Sequence, residues 1–491
     1  MNRRRTIGDW GFGKTVRGAA KTPAQPEPKQ QSSVKASASE QARRGSATAS
    51  APELLLRGAT IVTCDDEDRV LQGDVLVRGD RILQVGKVRP SAGAQVVDAK
   101  DTIVLPGLVM AHVHLCQVLL RGMADDLPLL SWLRERIWPL EAAHDEHSMG
   151  LSAELGLAEM LLGGVTSILD LGSVHHQDAV FEACVKSGMR TFGGKSLMDR
   201  GEGVPRRLKE STRASLRDGE ELERRWNAHP SGLVRYAWIP RFILSCTEAQ
   251  IRGALERAEA SGALFHTHAA EHAGEREAVR TLLGADDVDV LRSFGMRGRR
   301  CSIAHGVQLT ARQIRQLAKD EVSVVHCPSA NLKLGSGVAQ VPKLLAAGVT
   351  VGVGADGAPC NNNLDPWREL RLAAQLASIT AAPGELTARR ALRLLTIDGA
   401  RLLGREAEQG SVEPGKVADL ICVRRTGAHL LPALDPITTL VYAARPTDVT
   451  HVFIGGRPVV RGGELQTLDT DRLSRTAPKE AQRLARRAGV S

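Results

Sequence analysis

Two histidines, His112 and His114, stand two residues apart in the run PGLVMAHVHL. On an extended strand that spacing turns both imidazoles to one face, so two neutral nitrogen donors can converge on one transition-metal ion. A second group follows in LFHTHAAEH, which holds His266, His268 and Glu271. His266 and His268 again share a face, and either can be the ligand; His268 is the expected one, with His266 beside it. Glu271 falls on the turn after this strand, close enough to an ion to serve as a proton carrier. His305 ends CSIAHGVQL, and Asp356 ends the last such run, VTVGVGAD. Three imidazoles and a carboxylate suit Zn2+, with Fe2+ or Mn2+ accepting similar ligands, and leave room for a water. Coordination lowers the pKa of such a water toward neutrality. The expected chemistry is hydrolytic: Glu271 takes a proton from the water and gives it to a ring nitrogen, Asp356 orients the hydroxide, and His305 steadies the developing charge. Attack at an amine-bearing carbon then expels ammonia.

These residues need a scaffold that brings distant strand ends together. Between about Leu105 and Leu403, strand-like apolar runs alternate with helical segments, the pattern of βαβ units and a parallel sheet. Candidate strands end at His114, Asp170, Gly194, Leu244, His268, His305, His326 and Asp356. Eight such units predict an α/β fold, a (β/α)8 TIM barrel over residues 105–404, whose C-terminal strand ends build the active site. No lysine ends the fourth strand, where a carbamylated bridge between two metals would stand, so one divalent ion per chain is expected. Short β-branched runs punctuated by Gly and Asp occupy 53–104 and return over 405–466, predicting a small β-sandwich domain formed from both chain ends. Residues 467–491 read as a basic amphipathic C-terminal helix or tail, and residues 1–52 as a disordered basic arm, poor in apolar period.

The chain has 491 residues and a formal net charge of +9. Its first fifty residues hold ten Lys/Arg against three Asp/Glu, so the body is nearly neutral and neither a nucleic-acid nor a membrane partner is expected. Eight scattered cysteines, without a C-x-x-C pair, read as reduced thiols. With no long apolar run and no secretory h-region, a cytoplasmic location is expected.

The order H-x-H, H-x-x-E, H, D along alternating βα segments resembles the amidohydrolase superfamily, in particular its mononuclear aminohydrolases. In finer texture, RGMADDLPLLSWLRERIWPLE, HCPSANLKLGSG and DGAPCNNN resemble the S-adenosylhomocysteine/methylthioadenosine deaminases and 5′-deoxyadenosine deaminases. Triazine hydrolases and guanine-type deaminases are further relatives. The resemblance implies His112, His114, His268 and Asp356 as metal ligands, Glu271 and His305 as catalytic groups, and a homo-oligomer. It implies that Glu141 grips ribose hydroxyls and that Trp132 packs on the substrate. The expected substrate is thus a small nucleoside or another heteroaromatic amine, with triazine and free-base hydrolysis as alternatives. Ser245 stands where the homocysteine-nucleoside enzymes use a histidine on the purine, and Gln117 is expected to take over that ring contact. Lys195 or Arg206 is the nearest match to an arginine that holds an amino-acid carboxylate. His326, Ser329 and Asn331 are expected to line the site, and at most one of His175 and His176 to border it.

Overall fold

The computed structural model describes residues 52–490. The arm expected over residues 1–52 lies outside the described residues apart from Pro52. Five strands come first: β1 (Glu53–Val62), β2 (Val70–Arg78), β3 (Arg81–Gly86), β4 (Gln95–Asp98) and β5 (Thr102–Pro106). The barrel strands follow: β6 (Leu108–His114), β7 (Val165–Asp170), β8 (Arg190–Gly193), β9 (Ser196–Leu197), β10 (Val234–Pro240), β11 (Leu264–Ala269), β12 (Cys301–His305), β13 (Ser323–His326), β14 (Val351–Val353) and β15 (Asp356–Gly357). Four more close the chain: β16 (Leu420–Arg424), β17 (Val449–Ile454), β18 (Arg457–Arg461) and β19 (Glu464–Leu465).

Both chain ends contribute to one sheet, in the order β19-β18-β17-β16-β5-β1-β2-β3, with β4 also paired to β1. Antiparallel pairing of β5 with β16 sets Leu105 against Ile421 and stitches the two ends together. Leu56, Ile61, Val75, Val104, Leu420 and Phe453 form its interior, separate from the barrel core.

The second sheet is parallel and closes on itself, running β14-β13-β12-β11-β10-β8-β7-β6-β15. β9 continues β8 and β15 continues β14, so the ring has the eight staves of a (β/α)8 barrel. Closure occurs where Asp356 pairs with Val113 and Gly357 with His114. The kink that lets the eighth stave switch partners needs glycine at 354, since a Cβ there would stand 2.6 Å from the carbonyl oxygen of His112. Every residue of β6 is buried, because helices cover its outer face and the strand ends converge inside.

The fourth stave ends earlier than the apolar run RFILSC suggests. β10 stops at Pro240, and Leu244, expected to end it, lies instead in a 3-10 turn over Ile243–Ser245. A proline supplies no N–H to extend the ladder. The C-terminal helix, Thr470–Ala488, buries Leu473, Ala477 and Leu484. It sends Arg487 to Asp145 at 2.6 Å, the residue that caps helix Glu146–Leu162. Among the described residues no helix is long and apolar enough to cross a membrane.

Candidate active site

Five side chains from four staves meet inside the C-terminal mouth of the barrel. Nε2 of His112 and of His114 lie 3.3 and 3.1 Å from Asp356 Oδ1. Nε2 of His268 is 3.2 Å from Nε2 of His114. Ligand atoms of His112, His268, His305 and Asp356 all fall within 4.8 Å of one another. Nε2 of His112 and of His305 are buried without a hydrogen-bond partner, as nitrogens reserved for an ion or its water would be. The site therefore fits a divalent metal.

The second nitrogens of three of these rings, those of His112, His268 and His305, show how they are held. His266 is not in the cluster; its Nε2 meets His112 Nδ1 at 2.8 Å, and its Nδ1 meets Ser302 Oγ at 2.8 Å. His268 uses Nδ1–H to reach the carbonyl of Arg241 at 2.8 Å, leaving Nε2 for the centre. Geometry separates the two: Nε2 of His268 faces the centre, and His266 meets the far nitrogen of His112. His305 donates Nδ1–H to Asn331 Oδ1 at 2.9 Å, which fixes the tautomer with an accepting Nε2 inside.

Burial holds His112 neutral, pushing its pKa down to about 4. It also drives His268 well below the ordinary imidazole range, with the neighbouring histidines adding to the effect. Asp356 goes the other way: burial opposes its charge, but the adjoining imidazoles of His112 and His114 hold it well below the ordinary carboxylate range. Glu271 stands 3.5 Å from His305 Nε2 with Oε1 unpartnered. Burial first, and the charge of Asp356 second, raise its carboxyl well above the ordinary value.

His305 and Asp356 have φ of 76° and 62°, and Ala270, just before Glu271, has 53°. Left-handed backbone at non-glycine residues persists only where the surroundings impose it, and it concentrates at functional strand ends.

The pocket above the cluster is walled by Gln117, Arg241 and Phe242 and roofed by Leu129, Trp132 and Leu133. Its cavity is about 20 Å³, against the roughly 300 Å³ or more of ordinary ligand sites. That roof runs into a π-helical turn over Leu133–Ile137, an irregularity frequent at functional sites.

Several expected contacts lie elsewhere. Glu141 is buried, with both carboxylate oxygens taken: Arg241 donates at 2.6 and 3.1 Å, and Gln117 Nε2 at 2.7 Å. Lys195 is buried away from the pocket, donating to Glu210 at 2.7 Å and to the carbonyl of Val174 at 2.9 Å; a local carboxylate has already claimed its charge. Arg206 is exposed. His326 is buried at the end of β13 with both ring nitrogens unpartnered and does not line the pocket. His175 and His176 line a separate hollow behind Glu141, with Cys116 and His144. Arg241 is the residue that sequence reading missed. It follows Pro240 directly and lines the pocket, whereas Ser245, matched in sequence to the purine-contacting histidine of the homocysteine-nucleoside enzymes, does not; the run PRF marks it only once the strand is known to stop at the proline. Asp170 was noted as a strand end only. Its Oδ1 accepts the Leu115 N–H at 2.9 Å and anchors the turn after His114, and burial pushes its carboxyl up to about 6.

Residues 103–459 match the amidohydrolase family. The chain belongs to the amidohydrolase family. A 5-methylthioadenosine/S-adenosylhomocysteine deaminase of Moorella thermoacetica is 38% identical over 426 residues, covering 86% of this chain and 97% of that one. An adenosine deaminase from Xanthomonas campestris with bound zinc superposes with a TM-score of 0.82 at 32% identity, covering 89% of this chain and 99% of that one. An atrazine chlorohydrolase from Arthrobacter aurescens TC1, complexed with zinc, gives 0.81 at 27%, covering 87% and 100%. As an amidohydrolase of this deaminase branch, the chain is a hydrolase of carbon–nitrogen bonds in cyclic amidines.

Proposed function

We propose that the chain deaminates an adenine nucleoside of the 5′-deoxy- or 5′-methylthioadenosine kind, using one divalent ion per chain. Zinc is the first choice, with iron or manganese as alternatives. The observation that carries this reading is Glu271, a buried carboxyl 3.5 Å from the accepting Nε2 of His305, beside a cluster that fits a metal. His112, His114, His268 and Asp356 would hold the ion. When bound, it supplies a water acidified toward neutrality.

Glu271 protonates the ring nitrogen next to the amine-bearing carbon and recovers a proton from the water. His305 is neutral because burial lowers its pKa, and its Nδ1–H is committed to Asn331. It therefore accepts a hydrogen bond and aims the attacking oxygen, rather than donating to an oxyanion. Asp356, an anion, accepts the other hydrogen. Water oxygen joins the ring carbon as one of its protons restores Glu271; its second proton passes by way of Asp356 to the amine, the carbon–nitrogen bond breaks, and ammonia leaves, while the proton first given by Glu271 stays on the ring nitrogen. Trp132 covers the heterocycle from the roof.

A second reading is favoured by Gln117 and Arg241. Gln117 commits its amide N–H to Glu141, which leaves Oε1 without a partner beside Gly357. An accepting amide and a donating guanidinium on one wall match a ring N–H next to a carbonyl, as in an oxopurine base. One panel separates the readings: adenosine, 5′-deoxyadenosine, methylthioadenosine, S-adenosylhomocysteine, guanine and a chlorotriazine, followed for ammonia and chloride. Ammonia from the 5′-substituted nucleosides supports the first reading, ammonia from guanine alone supports the second, and chloride release supports triazine hydrolysis.

A further inference from the structure

We propose that Glu369 is a positioning residue of this site, a buried carboxylate that sets His305 and Asp356 from behind. The inference rests on the hydrolytic reading above, whichever heterocycle is the substrate. Glu369 lies on helix Pro366–Thr380, which follows the eighth stave, and is fully buried. Its two oxygens hold two different loops. Oε2 accepts the backbone N–H of Ser329 at 3.1 Å, and Oε1 accepts from Asn361 Nδ2 at 2.9 Å.

Each arm ends at a reacting group. Ser329 sits on the short helix Pro328–Lys333, which also carries Asn331, the acceptor of the His305 Nδ1–H at 2.9 Å. Asn361 Nδ2 also donates to the carbonyl of Ala355 at 2.8 Å, the residue just before Asp356. His305 and Asp356 are two of the non-glycine residues held at positive φ, so their backbone needs bracing from its surroundings. Glu369 is the group to which both braces run.

The side-chain type is informative. Burial among neutral amides pushes the Glu369 carboxyl up to about 7, and a glutamine would fill the same space without that cost. What glutamate supplies, in its ionised form, is an acceptor at both ends. Glutamine can accept from only one arm and turns its NH2 toward the donor of the other. Glu369→Gln therefore removes one brace while keeping shape.

The test uses Glu369→Gln, Asn361→Ala and the double variant, assayed beside the parent on whichever substrate the parent turns over. The expected result for Glu369→Gln is full metal content, KM within about twofold of the parent, and kcat lower by about 10- to 100-fold, the scale of a sub-ångström to 1 Å misplacement of reacting groups. The double variant should lose less than the product of the single factors, because one arm is shared. A kcat within about twofold of the parent in folded Glu369→Gln overturns the proposal, as do losses in the double variant that simply multiply. If Glu369→Gln gives no folded protein, Asn361→Ala is read in the same way: a loss confined to kcat supports the positioning role, and unchanged kcat overturns it. Parent turnover in the same assay separates failure of Glu369 from failure of the hydrolytic reading.

Discussion

Arg241 grips Glu141 with both terminal nitrogens, at 2.6 and 3.1 Å, across 100 residues of sequence and with both side chains less than a tenth exposed. The pair ties the segment after β6 to the end of β10, and Arg241 also offers its carbonyl to His268. A buried ion pair of this kind need not add net stability, but removing one partner strands the other charge at a cost of about 3–5 kcal/mol. Arg241→Ala should therefore lower the denaturant midpoint markedly, whereas Glu141→Gln/Arg241→Met should recover most of the loss. Equal destabilisation of both variants would contradict a stranded-charge origin.

The same pair predicts a pH effect. Burial raises the Glu141 carboxyl, but the charge and hydrogen bonds of Arg241, with the Gln117 bond, outweigh it and hold the pKa below the ordinary value. A depressed carboxylate contributes stability that is present above its unfolded pKa, about 4.3, and is lost as pH falls through its folded value. Unfolding free energy measured below about pH 4.3 should fall less steeply in the double variant than in the parent. Parallel curves would show that Glu141 is not depressed.

Glu271→Gln keeps the side-chain volume but cannot exchange a proton. Its kcat should drop by about 10²-fold or more, with metal content unchanged. Loss of the metal on substitution would make Glu271 a ligand instead.

His266→Ala leaves the cluster intact but removes the partner of His112 Nδ1. Metal affinity should weaken by about 10- to 100-fold, read by competition with a chelating dye. Unchanged affinity would mean that His112 needs no such orientation.

How much of this was legible in the sequence depended on whether the signal was local. The spacing of His112 and His114 follows from strand period alone, and the strand-ending positions of His305 and Asp356 follow from the βα alternation. That His268, not His266, faces the centre rests on a bond to the carbonyl of Arg241, which spacing could not reveal. Lys195 looked like a substrate contact because nothing near it in sequence announces that Glu210 folds back upon it. Glu141 looked free for ribose because its partner lies on another stave. Glu369 reads as an ordinary polar position on an amphipathic helix, and only the packing of two loops against that helix gives it a role.

The most direct test of the account is a titration of metal-free protein with Zn2+, following ammonia release from 5′-deoxyadenosine. The account predicts no turnover without metal, activity rising to a plateau at one equivalent per chain, and one ammonia released for each adenine ring converted to hypoxanthine. Turnover by the metal-free protein, or a plateau only at two equivalents, would contradict it.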